Sequence, residues 1–195
     1  MSQHHPLSSE IPSEFPVAQA IRERRTIRQF KSDPVSQELL LSLLDTANWA
    51  PNHGMREPWR FIQYMGEARR LFSNAVIGAM SVDERRRNEE QKLKDYMTIP
   101  VHLIVVMEED SRNKQWMEDV GAVSSWIQCF QLAAWERGLG VVWKTNGFLS
   151  APSFREAVGV ERGEKIIGVL HVGYPEHIPA PRPRTRAIEK LTIHE

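Results

Sequence analysis

Apolar residues recur along this chain at two spacings, and the switches between them outline its elements. Val17, Ala20, Ile21 and then Arg24 fall near one another at helical spacing, which predicts a helix from Pro16 to Arg24. A second stripe of Leu39, Leu40, Leu43, Leu44 and Ala47 predicts a helix running up to Pro51. Ser36 is its expected N-cap, and Val35 with Leu40 its hydrophobic staple. Pro58 opens an extended run from Trp59 to Met65, and Glu67 to Val76 returns to helix. After Pro100, the β-branched run from Val101 to Met107 predicts a buried strand.

A long helix is expected from about Lys114 to Arg137, with Val120, Val123, Ile127, Phe130 and Ala134 on one face. Gly138 and Gly140 stop it. Two more strands, Leu139 to Thr145 and Ile166 to Tyr174, flank a short helix around Pro152 to Val158. From Pro175 the chain is proline-rich and is expected to lie extended over another surface. Strands interleaved with helices indicate an α/β or α+β layer protein. No internal repeat or boundary divides it, so one domain over 16–195 is expected, preceded by a flexible polar tail, 1–15.

Residues 83–95 break the pattern. They read DERRRNEEQKLKD, and a helix without an apolar face is exposed, mobile or bridging.

Composition narrows the class. No apolar run approaches the length of a membrane span, and the N-terminal stretch lacks the apolar core of a signal peptide. The single cysteine, Cys129, cannot form an internal disulfide, which fits a reducing cytoplasm. Beside Phe130 in a helix, it is expected to be an inert, buried thiol. Net charge is zero, so no global field draws in nucleic acid or membrane. The basic residues are nonetheless gathered. Arg22, Arg24, Arg25, Arg28 and Lys31 stand against one Glu23, and Arg182, Arg184 and Arg186 follow near the C-terminus.

Four segments carry candidate chemistry, and each has an ordinary reading beside the functional one. The turn Arg24-Arg25-Thr26-Ile27-Arg28 suits phosphate, which guanidinium groups grip through paired charge-assisted bonds; it also suits a solvated helix end. The loop from Trp49 to Trp59 presents Asn52, His53, Met55 and Arg56 between two prolines, as a binding surface or a plain connection. Lys144, Thr145 and Asn146 end a strand, where a lysine could face a ring that becomes anionic when reduced, or merely solvent. Arg182 and Arg184 alternate with prolines, as a clamp or a basic tail.

Together these segments resemble the nitroreductase family. The residues that carry the resemblance are Arg24 to Phe30, Ala50-Pro51 through Glu57-Pro58-Trp59-Arg60-Phe61, Gly138-Leu139-Gly140-Val141, Val172-Gly173-Tyr174-Pro175 and Arg182-Pro183-Arg184. They stand in family order and spacing across about residues 16–186. The resemblance implies an α+β fold with a central mixed, mainly antiparallel sheet flanked by helices, and an intertwined homodimer with FMN at each end of the interface. The helix 114–137, with Gly121 and Ser125 one turn apart, would be central to that dimer.

By position, the resemblance gives Arg24, Arg25, Thr26 and Arg28 the flavin phosphate and ribityl chain. Arg184, with Arg182, would complete the clamp. Asn52, His53 and Met55 would line the flavin, and Lys144, Thr145 and Asn146 would approach its ring edge. Met55 and Glu57 depart from the family's usual Asn and Gln, so flavin tuning is expected to differ. The implied activity is ping-pong transfer from NADH or NADPH, through FMN, to a small-molecule acceptor such as a nitroaromatic, quinone or enone. The alternatives are a flavin-storing or flavin-sensing protein, or a same-fold enzyme of dehalogenation or flavin breakdown. No side chain is assigned as acid or base. Segment 83–95 is expected to border the substrate site as a mobile lid.

Other motifs are absent. The seven histidines show no H-x-H or H-E-x-x-H spacing, so no metal site is expected. His102 and His171 fall in predicted strands as core or dimer polar residues. Gly138-x-Gly140 lacks the third glycine of a dinucleotide fingerprint, so the nicotinamide donor is expected to bind transiently over the flavin.

Overall fold

The computed structural model describes residues 16–194; the expected tail, 1–15, lies outside the described residues. Six α-helices and four strands follow the predicted order. Helix α1 (Pro16–Glu23) ends where Arg25 turns back, its Nη1 donating to the carbonyls of Arg22 and Glu23 at 2.6 and 2.8 Å. Helix α2 (Gln37–Ala47) starts at Ser36, whose Oγ accepts from Leu39 N at 3.1 Å, and Val35 and Leu40 are both buried in one cluster. Strand β1 (Arg60–Met65) leads through a 3-10 turn into α3 (Arg69–Gly78).

Helix α4 (Val82–Met97) holds the polar segment. It buries no residue fully, and its stability is local. Ser81 and Glu84 form a reciprocal capping box, satisfying N–H groups that the first turn leaves free. Lys94 pairs with Glu90 one turn away at 2.8 Å.

Strands β2 (Val101–Glu108), β3 (Gly140–Lys144) and β4 (Glu164–Gly173) join β1 in a sheet of order β1-β2-β4-β3, with every pairing antiparallel. A single parallel bridge, Thr26 to Val141, adds the basic turn to the edge of β3. The four-stranded sheet itself is antiparallel throughout, and the parallel element is this bridge outside its strands. Helix α5 (Asn113–Glu136) crosses one face with α2, and α6 (Pro152–Ala157) joins α3 on the other.

Both faces are covered, which explains the apolar run of β2 from Leu103 to Met107. Leu103, Val105, Leu170 and Val172 face the α2/α5 layer, while Ile104, Val106 and Val169 face α3 and α6. Trp126 of α5 is fully buried, stacked 4.3 Å from Phe61, with Nε1 donating to Asn48 Oδ1 at 2.9 Å. At Gly140 a Cβ would overlap the branched side chain of Ile27, so only glycine lets the basic turn close against β3.

The final segment is largely extended, with a 3-10 turn at Ala187–Lys190; it pairs with the basic turn at Pro175 and Glu176 and is almost wholly exposed beyond them. Ile178, Ile188, Leu191 and Ile193 all stand more than half exposed.

Candidate functional site

The two arginine-bearing stretches, far apart in sequence, lie near enough in one chain for the charge of Arg184 to act on Arg24. Arg24 is half-buried at the end of α1, its Nη1 3.4 Å from Gln131 Oε1 of α5. Burial, then the charges of Arg25 and Arg184, hold its guanidinium below the ordinary arginine pKa. Arg24 Nε is buried without a hydrogen-bond partner among the described residues. None of the ion pairs among those residues involves Arg24, Arg25, Arg28, Lys144, Arg182 or Arg184. The like charges of Arg24, Arg25 and Arg184 raise the free energy of the empty chain, and a bound phosphate dianion would reverse the sign.

Beside this cluster lies a cleft of about 770 Å³, within the range of small-molecule sites. Arg28, Phe30 and Glu176 line one side. Lys144 and Asn146 from the end of β3 line another, and Lys92, Asp95 and Tyr96 of α4 a third. Segment 83–95 thus does border the cleft, through its C-terminal half. Thr26 is held by its bridge to Val141, and Ile27 N donates to Val141 O at 3.2 Å, so the basic turn is fixed to β3. Thr145 is exposed beside Lys144. Arg182 and Arg184 are exposed, with Arg184 Nη1 donating to Arg182 O at 2.8 Å.

Asn52, His53 and Met55 stand elsewhere. Their loop is pinned to the first half of α5 by Arg56, which donates through Nε and Nη2 to the two oxygens of Asp119 at 3.2 Å. Asp119 and Gln131 are twelve positions apart on α5, hence about 18 Å along its axis. The Asn52 loop and the basic turn therefore meet the long helix toward opposite ends. The Asn52 side chain is committed to the loop, accepting from Glu57 N at 2.9 Å and donating to Ala50 O at 3.2 Å. Gly54, Met55 and Glu57 have φ of 63°, 53° and 46°. Two non-glycine residues in the left-handed region store strain, which clusters at binding loops. Met55 is 77% exposed, so it presents an apolar tip to whatever approaches.

Residues 21–174 match the family model described as the nitroreductase family. The chain belongs to the nitroreductase family. Among its relatives, Bacillus subtilis YfhC, provisionally named an NAD(P)H nitroreductase, is 34% identical over 96% of this chain and 98% of its own. A nitroreductase-like family protein from Bacillus cereus is 40% identical, with a TM-score of 0.90 covering 95% of this chain and all of that one. A Desulfovibrio desulfuricans protein provisionally named a nitroreductase, solved in complex with FMN, shares the fold. Its TM-score is 0.74 at 22% identity, covering 94% and 99% of the two chains.

Sequence reasoning missed several residues that anchor the basic turn and the Asn52 loop or line the cleft. Gln131 and Asp119 sit on a helix whose apolar stripe gave no hint of them, although buried polar residues on such a stripe always need partners. Tyr96, just beyond the polar segment expected to border the site, lines the cleft, and His171, buried as expected, lines it as well. Cys129 is half-buried and its thiol is pushed up by burial, in keeping with an inert role. Among the described residues no His, Cys, Asp and Glu cluster suits a metal, and no helix is long and apolar enough to cross a membrane.

Proposed function

We propose that this nitroreductase-family chain is an NAD(P)H-dependent FMN oxidoreductase, working as a homodimer, with residues 16–195 as one FMN-binding domain. The observation that carries the reading is the partnerless, buried Arg24 Nε among like charges and without a counter-ion. That cradle suits the phosphate of FMN, with the exposed guanidiniums of Arg184 and Arg182 completing its coordination. Arg25 contributes less than its position suggests, because one of its nitrogens already caps α1. Arg28, Lys144 and Asn146 would hold the remainder of the cofactor along the cleft.

The half-site at Asn52, His53 and Met55 would come from the second copy, since one chain cannot bring it across the length of α5. Exposed Ile178, Ile188, Leu191 and Ile193 on the final segment support a partner that covers them. FMN, when bound, would take a hydride from NADH or NADPH and pass reducing equivalents to a nitroaromatic, quinone or related small molecule. The chain would orient the reactants, exclude water, and set the Lys144 charge beside the reduced ring. An unpaired Cys129 fits work in the cytoplasm.

The test is the absorption spectrum of the purified protein, followed by anaerobic mixing with NADPH or NADH. A flavin spectrum that bleaches on mixing and returns with an acceptor is the expected result. Colourless protein that ignores added FMN overturns the reading; a spectrum that never bleaches leaves storage or sensing instead.

A further inference from the structure

His102 and His171 face each other across the β2–β4 ladder, and both are almost wholly buried. Phe72 stacks on the His102 ring with centroids 4.1 Å apart, and Phe72 and Tyr96 pack near His171. The two Nδ1 atoms lie 2.9 Å apart, and His102 Nε2 lies 3.0 Å from the carbonyl oxygen of Tyr96.

Those two contacts fix where the hydrogens are. A carbonyl oxygen only accepts, so His102 Nε2 carries the hydrogen. A neutral imidazole has one N–H, so His102 Nδ1 is a bare acceptor and His171 Nδ1 donates to it. The one N–H of His171 therefore points inward, and Nε2 keeps an open lone pair. Neutrality of both rings follows from their surroundings. Burial comes first in each case. His171 and Arg69 of α3 oppose a charge on His102, and Lys144 of β3 opposes one on His171, which is held at about 4. Lys92 and Asp95 from α4, Arg28 from the basic turn, and Glu176 after β4 are the other charged groups lining the cleft.

His171 lines the cleft, and its Nε2 has no hydrogen-bond partner among the described residues. We infer that His171 Nε2 is a built hydrogen-bond acceptor in the cleft, its tautomer set through His102 by the Tyr96 carbonyl, and that it binds a neutral hydroxyl or N–H donor of the occupant. The excess of positive charge around it rejects an ammonium donor. The inference rests on the proposed flavin reading, under which the donor is a ribityl hydroxyl or the ring N3–H. His102 is then a positioning residue: it touches no ligand and acts by holding the proton arrangement of His171.

The test is a long-range ¹H–¹⁵N correlation spectrum of the histidine rings, recorded without and with FMN. His102 should be in its Nε2–H form and His171 in its Nδ1–H form, and FMN should shift His171 Nε2 in the direction of an accepted hydrogen bond. His171→Asn keeps an N–H near the Nδ1 position but no acceptor at Nε2. It should bind FMN about three- to tenfold more weakly. His171→Gln, which returns a carbonyl oxygen near Nε2, should stay within about twofold of the parent. Where N3-methyl-FMN binds parent and His171→Asn alike, the donor is the ring N–H; where the difference persists, it is a ribityl hydroxyl. FMN binding with His171 Nε2 unmoved, or His171 found as the Nε2–H tautomer, overturns the inference and leaves the flavin reading standing. Failure of the parent to bind FMN overturns both. The spectra of the parent decide the matter even if the variants do not fold.

Discussion

Arg56 spans both carboxylate oxygens of Asp119, Nε to Oδ1 and Nη2 to Oδ2, each at 3.2 Å. Asp119 is buried and also accepts from Gln115 at 3.0 Å, so one carboxylate gathers a loop and a helix. The loop it holds contains three left-handed residues within four positions, a conformation that needs an anchor. Asp119→Ala should cost about 1–2 kcal/mol in urea unfolding, reduced from a fully buried pair because Arg56 is 39% exposed. It should also increase amide exchange across 52–57. Unchanged exchange there would show that the loop holds its shape without the fork.

Arg24 makes the opposite case, a residue whose cost is borne by the empty chain. Arg24→Met should weaken FMN binding about 10- to 100-fold, the worth of a charge-assisted bond, as read by quenching of flavin fluorescence. The same substitution should leave the thermal stability of the FMN-free protein unchanged or higher, because it removes repulsion with Arg25 and Arg184. A loss of apo stability would mark Arg24 as structural.

Lys144 tests electrostatics at the other end of the cleft. Lys144→Met should retain FMN yet lower its midpoint potential by something on the order of tens of millivolts, because a positive charge favours the more negative, reduced ring. A spectroelectrochemical titration measures this directly. An unchanged potential removes Lys144 from that role.

The two buried histidines predict a pH dependence of folding. His171 falls from an ordinary 6.5 to about 4 in the folded chain, and His102 is lowered as well. Below about pH 6.5 the unfolded chain therefore takes up protons that the folded chain refuses. Stability is fully present above that pH and declines as pH falls toward about 4, by up to about 1.4 kcal/mol per pH unit for each ring. Urea midpoints between about pH 7.5 and about pH 4.5 should show the slope, and His171→Asn should flatten it. An equal slope in both proteins would assign the effect to carboxylates.

Much of the fold was legible because periodicity and punctuation agree. Ser36, Pro58, Pro100 and Gly138 mark element ends that the structure keeps, and the two-faced burial of β2 follows from its apolar run, Leu103 to Met107. The polar α4 was readable as exposed, since it offers nothing to bury. The basic clusters around Arg24 and Arg184 were readable from charge alone, and the charge of Arg184 does act on Arg24. What stayed hidden depends on register and on long-range contact. Nothing local couples Arg56 to Asp119, 63 positions away, or Arg24 to Gln131, 107 away. His102 and His171 occupy strand positions where aliphatic residues would serve equally, so only the β2–β4 register reveals that they touch. The placement of Asn52, His53 and Met55 beyond reach of the basic turn was hidden for the same reason.

The stiffness of α5 has a consequence for how such a protein would be handled. If FMN is shared between two copies as proposed, a helix that keeps the basic turn and the Asn52 loop toward opposite ends would make retention a property of concentration. Thinned past the point where copies separate, a yellow preparation would shed its pigment into free solution, and crowding it again would restore the colour. The tint of the sample would then serve as a titration of self-association.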